Sequence, residues 1–278
     1  MGIDTIHTTI SVGAEKAFDL LHISDTHLCL ADDRNDQRKI NLATNRKRSF
    51  PLAETMLEFT TQQAKITGFP IVHTGDLIDF VSYKNLDAAK QFTDENDVFM
   101  AAGNHEFSLY VGEAFEDAAY RNQSLSLVQN SFRNDIRFAS RIINRVNLVA
   151  LDNSYYLIDE EQLGQLQTEL AKGFPVILFM HTPLYSEALY DYMTNTKKSE
   201  CAYLMNAPVA VTDRYNDYRR RQQTGDDVTQ QAYELIVNHK NIKAIIAGHL
   251  HFNYDDFSIP DIPQFVTGCT TLRHLHIE

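Results

Sequence analysis

The chain has 278 residues, 44% of them hydrophobic and 22% charged, enough to bury a full core and too apolar for a disordered, collagenous or disulfide-stapled protein. Its 25 basic residues face 37 acidic ones, a net charge of −12, so neither extended nucleic acid nor an anionic membrane is an expected partner. Cys29, Cys201 and Cys269 are odd in number, far apart and form no CxxC pair, which reads as buried free thiols in a reducing compartment. Residues 1–21 hold no basic segment followed by a long apolar one, and no later run nears the roughly 18 apolar residues of a spanning helix. Ile6 stands where a myristoylation signal after Gly2 needs Ser or Thr, and the expectation is a cytoplasmic protein.

In chain order, short apolar runs alternate with helical patterns, the mark of an α/β fold. The runs predict strands at Phe18 to Ser24, Pro70 to Thr74, Val98 to Ala102, Val146 to Leu151, Val176 to Met180 and Ile242 to Ala247. Ser49 with Pro51 predicts a helix start, closed by Gly68 and Pro70, and Asp159 with Gln162 resembles a capping box closed by Gly173. Asp227 predicts another start. Beyond Asp256 come short extended pieces, Gln264 to Thr267 and Thr271 to Ile277, punctuated by Pro263 and Gly268.

Two stretches break the alternation. Residues 31–48 are dense in charge, and residues 186–226 carry no strand period but hold the cluster Arg219, Arg220 and Arg221; counting from Tyr185 to Tyr218 there are six tyrosines. Long excursions from a compact core are often functional, so 186–226 is expected to be a cap or substrate loop on a single domain spanning 1–278. Arg34, Arg38, Arg46, Lys47 and Arg48 read as a solvated face, and the tyrosines as packing for the cap.

Polar residues with metal-ligand chemistry follow each of five apolar runs: Asp25 and His27, Asp76, Asn104 and His105, His181, then His249 and His251. In an open α/β sheet, sites lie outside the carboxyl ends of strands, so these residues would converge if their strands are neighbours. Glycines 75, 103 and 248 stand directly before three of them, where a sharp turn is needed. The i, i+2 pairs Asp25 with His27 and His249 with His251 would face one side of an extended chain. Imidazole, carboxylate and amide donors without thiolate suit borderline divalent metals, and seven candidates exceed the needs of one tetrahedral ion. Two ions about 3.5–4 Å apart suit in-line displacement at phosphorus.

The blocks DxH (Asp25, His27), GDxxD (Gly75, Asp76, Asp79), GNHE (Gly103 to Glu106), HxP (His181, Pro183) and GHxH (Gly248, His249, His251) resemble, in that order, the calcineurin-like metallophosphoesterases. The resemblance covers roughly residues 18–270. It implies a four-layer α-β-β-α sandwich of two packed, mostly mixed β-sheets flanked by helices. It also implies two divalent ions, of Mn, Fe or Zn. One would be held by Asp25, His27, Asp76 and His251, the other by Asp76, Asn104, His181 and His249, so that Asp76 bridges. A hydroxide shared by the ions would attack phosphorus in line, with His105 facing the leaving oxygen and Asp79 orienting His105. Glu106 stands where this family commonly has aspartate, with no functional consequence expected.

The remaining histidines, His7, His22, His239, His274 and His276, read as satisfied polar groups, and His73 as at most a neighbour of the site. The spacing of His274 and His276 alone does not argue for a metal. The protein phosphatases of the family carry phosphate-clamping arginines in GDxVDRG and RGNHE; Phe80 and Ala102 occupy those positions, which disfavours that activity. The expected substrate is a small phosphodiester or nucleotide, the alternative a small phosphomonoester, and the alternative of another class is a catalytically silent scaffold of the same fold. No substrate-binding residue is assigned.

Overall fold

Where an apolar run is too short for a helix and is covered on both faces, it forms a central strand. Val146–Leu151 and Val176–Met180 are buried at every position. In the computed structural model, which describes residues 2–278, eleven strands are found: β1 (Asp4–Ile10), β2 (Phe18–Ile23), β3 (Ile71–His73), β4 (Val98–Met100), β5 (Phe138–Ile143), β6 (Val146–Leu151), β7 (Val176–Met180), β8 (Ile242–Ala247), β9 (Tyr254–Asp256), β10 (Gln264–Val266) and β11 (Thr271–Ile277). They form a five-stranded sheet in the order β1-β11-β2-β3-β4 and a six-stranded sheet in the order β5-β6-β7-β8-β10-β9. Both are mixed: β2, β3 and β4 run parallel, as do β6, β7, β8 and β10, while β11 opposes β2, β5 opposes β6 and β9 opposes β10.

Three buried layers hold this arrangement together. Leu20, Val72, Phe99, Leu148, Ile177 and Ile246 are among the residues that fill the space between the sheets. The outer face of the first sheet packs on the helices Ala53–Thr67, Tyr83–Glu95 and Ala118–Gln129 through Met56, Leu86, Phe92 and Val128. The second packs on Glu160–Ala171 and Asp227–Asn238 through Leu166, Leu170, Ala232 and Ile236. Helix, sheet, sheet and helix make the expected four layers. No helix among the described residues is long and apolar enough to cross a membrane.

Local expectations fare unevenly. The capping box of Asp159 and Gln162 is formed in both directions, and Gly173 follows the helix at φ +79°. Gly68 closes Ala53–Thr67 in the left-handed conformation, but Leu52, not Ser49, precedes that helix and makes no side-chain cap. The cap predicted at Asp227 is Asp226, one residue earlier, accepting from Thr229 N. Strands β1 and β5 went unread because their positions are largely half-exposed and interrupted by Thr, Ser or Arg rather than continuously apolar. The stretch 31–48 holds a helix, Gln37–Arg46, and 186–226 holds three short α-helices, Glu187–Asp191, Val209–Thr212 and Asp217–Gln223, the first continued by a π-helical turn, Tyr192–Thr196. The latter segment is anchored by Leu189, Met193 and Leu204 against Leu250 and Val266. Cys29 and Cys201 are buried, Cys269 is half-buried, and all three are free thiols.

Replacing Asp159 by Ala removes one partner of the capping box, and a loss of about 1 kcal/mol is expected in urea unfolding; an unchanged midpoint would show that the reciprocal bonds carry no net stability.

Candidate active site

Parallel strands from both sheets end on one side of the sandwich, and the five motifs sit just beyond those ends. Asp25 and His27 follow β2, Asp76 follows β3, Asn104 and His105 follow β4, His181 follows β7, and His249 and His251 follow β8. The i, i+2 pairs were expected to share a face as extended chain. Instead Asp25 (φ +55°), His27 (+52°), His249 (+68°) and His251 (+57°) are all left-handed, and so is Asp76 (+58°). In each pair the two left-handed residues flank one that is not, so the chain does not run extended there. For non-glycine residues such backbone costs about 1–3 kcal/mol each and persists only where the surroundings enforce it.

The glycines show what enforces it. A Cβ on Gly75 would lie 2.6 Å from the Gly103 Cα and 2.7 Å from His181 Nδ1. One on Gly103 would collide with the Asp76 carboxylate, and one on Gly248 with Ser24 Oγ and Asp25 Oδ2. Only Gly75 of the three has a positive φ, +94°, so for Gly103 and Gly248 the requirement is close approach of neighbouring strand ends rather than the sharp turn expected from sequence.

Two groups of side chains result. Asp25, His27, Asp76 and His251 place ligand atoms within 4.8 Å of one another, as do Asp76, His181 and His249. In the first, His27 Nε2 lies 3.0 Å from His251 Nε2 and 3.6 Å from Asp76 Oδ2. In the second, His181 Nε2 lies 3.0 Å from His249 Nδ1, 3.2 Å from Asn104 Oδ1 and 3.3 Å from Asp76 Oδ2. One oxygen, Asp76 Oδ2, therefore faces both groups. The other is fixed by the His105 backbone N–H at 2.8 Å, and Asp25 is divided the same way, with Oδ2 accepting from His249 N at 2.8 Å. Asp25 Oδ1 is then buried with no hydrogen-bond partner, a costly state for a carboxylate oxygen unless a cation meets it.

The imidazoles are oriented from behind. His27 Nδ1 donates to Asp79 Oδ1 at 2.9 Å, His181 Nδ1 donates to the Thr74 carbonyl at 2.8 Å, and Tyr156 Oη meets His249 Nε2 at 2.8 Å. In each case the opposite ring nitrogen is aimed at the carboxylates, the arrangement found behind metal-ligating histidines. Burial lowers the His27 imidazole to about 4 against the raising effect of Asp79, and it lowers His249 to about 3. Both are neutral at pH 7, the form that coordinates a cation. Burial lowers His181 too, but the charges of Asp76 and Asp25 outweigh it and raise this group to about 10, so a cation bound there would displace its proton. Burial also disfavours the Asp25 carboxylate, yet His251 beside it holds the pKa below the usual range. Two buried carboxylates, an amide oxygen and inward imidazole nitrogens form a donor set that fits borderline divalent ions.

Asp79 and His105 are neighbours, but the expected link takes another form. His105 Nδ1 donates to the Asp79 backbone carbonyl at 2.7 Å, with the carboxylate farther off at 3.4 Å. The carboxylate instead receives His27 and a bidentate grip from Arg46, Nε to Oδ2 at 2.7 Å and Nη2 to Oδ1 at 2.8 Å. Arg46 is thus not part of the solvated face it was read into. It ends the helix Gln37–Arg46 and supplies the countercharge beneath the site, stacked near Phe50, whose ring lies 4.0 Å from that of His27. The His274 and His276 pair closes on Asp19, each at 2.9 Å, and His73, fully buried, contacts Thr26. Phe80 and Ala102 are fully buried as well.

Sequence reasoning missed Tyr156, Asn153 and Glu106. Asn153 Oδ1 accepts from His181 N at 3.1 Å and Thr182 N at 3.0 Å, fixing the turn that carries His181. Glu106, to which no role was attached, is fully buried. Its Oε2 accepts from Asp76 N and Gly103 N, both at 2.7 Å, and its Oε1 from Leu77 N at 2.7 Å and Ile78 N at 3.2 Å. Burial and the Asp76 charge push this carboxyl up to about 8 while the N–H bonds pull it down. Glu106 thereby joins the ends of β3 and β4; its only signal in the sequence was its place within GNHE. Substituting Gln puts an amide N–H₂ among these donors, and a loss of at least about 3 kcal/mol is expected in denaturant unfolding. Wild-type stability in that variant would mean the four bonds are not made.

A cavity of about 640 Å³ opens over the site. Asp76, His105, His249 and His251 form its floor, and Lys197, Tyr203, Tyr218, Arg219 and Gln222 from the segment 186–226 form part of its wall. Glu116 joins floor to wall, accepting from Asn104 Nδ2 at 3.3 Å and from Gln222 Nε2 at 3.2 Å.

No curated protein matches the sequence. Among solved structures, the chain is similar to a purple acid phosphatase from yellow lupin (Lupinus luteus) seeds, at 14% identity and a TM-score of 0.52, covering 92% of this chain and 44% of the lupin one. It is also similar to a dimetal phosphatase from Danio rerio (14% identity, TM-score 0.48, 91% of this chain and 88% of that one) and to a 5'-nucleotidase precursor from Thermus thermophilus (14%, 0.43, 91% and 48%). The lupin likeness shows a shared fold, although this chain spans less than half of that enzyme. The sequence profile of the calcineurin-like phosphoesterases matches residues 18–253, and with five strand ends carrying that profile's chemistry into one crevice, the chain belongs to the calcineurin-like phosphoesterase family.

Proposed function

We propose that this protein hydrolyses small phosphoesters at a two-metal site, with Asp25, His27, Asp76 and His251 holding one divalent ion and Asp76, Asn104, His181 and His249 the other. The observation that carries this reading is Asp76 Oδ2, a single carboxylate oxygen within 3.6 Å of His27 on one side and 3.3 Å of His181 on the other. Ions bound there, of Mn, Fe or Zn, would supply positive charge for the phosphoryl oxygens and a hydroxide nucleophile at neutral pH.

The chain's own residues do the rest. His105 lines the cavity with Nδ1 committed to the Asp79 carbonyl, so its Nε2 is the nitrogen available to a leaving oxygen. The buried Asp79 and the half-buried Arg46 form an ion pair that fixes His27 and, through the backbone, His105. Residues 186–226 act as a cap on a single domain, restricting entry to substrates that fit the cavity. Its size accommodates a nucleotide or a small phosphodiester, and extended nucleic acid remains disfavoured by the charge of −12.

Two measurements test the reading. Manganese-loaded protein is expected to turn over bis(p-nitrophenyl) phosphate faster than the p-nitrophenyl monoester. The reverse order would move the assignment to a phosphomonoesterase, and turnover of neither would leave a scaffold. Changing His105 to Ala should slow turnover by about 10² to 10⁴ while manganese content stays at the wild-type level; an emptied site in that variant would show that the ring serves metal binding instead.

A further inference from the structure

The cavity wall contributed by residues 186–226 is basic in an otherwise acidic protein. Lys197 and Arg219 are the two Lys or Arg side chains that line the cavity. Arg219 is built into position: Nε donates to Glu200 at 2.7 Å, Nη1 donates to Gln222 at 2.9 Å, and the guanidinium carbon lies 5.0 Å from the Tyr203 ring centroid and 5.4 Å from that of Tyr218. These contacts leave Nη2 without a protein acceptor among the described residues. Lys197 Nζ lies 4.4 Å from the Phe252 ring centroid and 5.6 Å from that of Tyr192, and makes no ion pair among the described residues.

We infer that Arg219 and Lys197 form an anion subsite, and that the preferred substrates are phosphoesters whose leaving group carries a second anionic group, a carboxylate or a phosphate. This rests on the phosphoester reading of the cavity floor. A guanidinium held by two hydrogen bonds and two aromatic rings has lost its rotamer freedom before any ligand arrives, and its free Nη2 can donate to either anion. Lys197 adds an ammonium that is oriented by aromatic faces and not neutralised by a carboxylate. Glu200 pairs with Arg219 through Nε and leaves Nη2 free, and of the two carboxylates that line the cavity, Asp76 belongs to the floor while Glu116 is engaged by the amides of Asn104 and Gln222. At about 640 Å³ the cavity has room for a ring-sized leaving group between floor and wall.

The test uses non-hydrolysable probes, so that it does not depend on turnover. Calorimetry on the manganese-loaded protein compares phenylphosphonate, 4-carboxyphenylphosphonate and 1,4-phenylenebisphosphonate, which share one ring and differ only at its far end. The two doubly anionic probes are expected to bind about tenfold tighter than phenylphosphonate, the gap shrinking to about twofold in Arg219→Gln and narrowing in Lys197→Met. Which of the two binds better identifies carboxylate or phosphate as the recognised group. Equal affinity for all three, or a gap that survives in both variants, overturns the subsite. Charge-dependent binding in a protein that hydrolyses neither p-nitrophenyl ester would keep the subsite and reject the proposed hydrolysis.

Discussion

The structure depends on how closely the ends of β2, β3, β4, β7 and β8 approach one another. Three positions in that region, Gly75, Gly103 and Gly248, have no room for a Cβ because backbone, carboxylate or hydroxyl atoms already occupy the space. Chain leaving strands this crowded cannot continue as extended backbone. Asp25, His27, Asp76, His249 and His251 instead take left-handed conformations, which Asp and His tolerate better than β-branched residues do. The strain is held by hydrogen bonds that reach across strand ends: Glu106 on four backbone N–H groups, Asp76 on His105 N, and Asp25 on His249 N.

That crowding sets the electrostatics. Asp25 and Asp76 each have one oxygen fixed by a backbone N–H and the other turned inward, and each of His27, His181 and His249 has one nitrogen bonded outward and the other turned inward. A hydrophobic pocket could not keep such groups together without a countercharge. Arg46 supplies one for Asp79, at the edge of the site. For the inward oxygens of Asp25 and Asp76, the donor set points to divalent ions, which ties the fold of this region to the chemistry proposed for it.

Much of this was legible in the sequence, because chemistry-bearing residues directly after apolar runs mark strand ends, and strand ends of an α/β sheet converge. The central strands β6, β7 and β8 were read to the residue, since burial on both faces makes them apolar at every position but Asn147 and Lys243. The edge of the picture was not legible. The partly exposed β1 and β5 lack that signature. Arg46, Tyr156 and Asn153 reach the site from segments whose local pattern says nothing about where they pack, and Glu106 was visible only as a variant letter in a motif. The same applies to the cavity wall: five tyrosines and an arginine run marked 186–226 as unusual, but which of them would face the cavity was set by how the segment folds, with Leu189, Met193 and Leu204 packed on Leu250 and Val266.

The most direct measurement is anomalous diffraction from crystals of the manganese-loaded protein at the manganese absorption edge. The expected result is two peaks about 3.5–4 Å apart, one on each side of Asp76 Oδ2. A single peak, or peaks away from Asp25, Asp76, His181 and His249, would contradict the account.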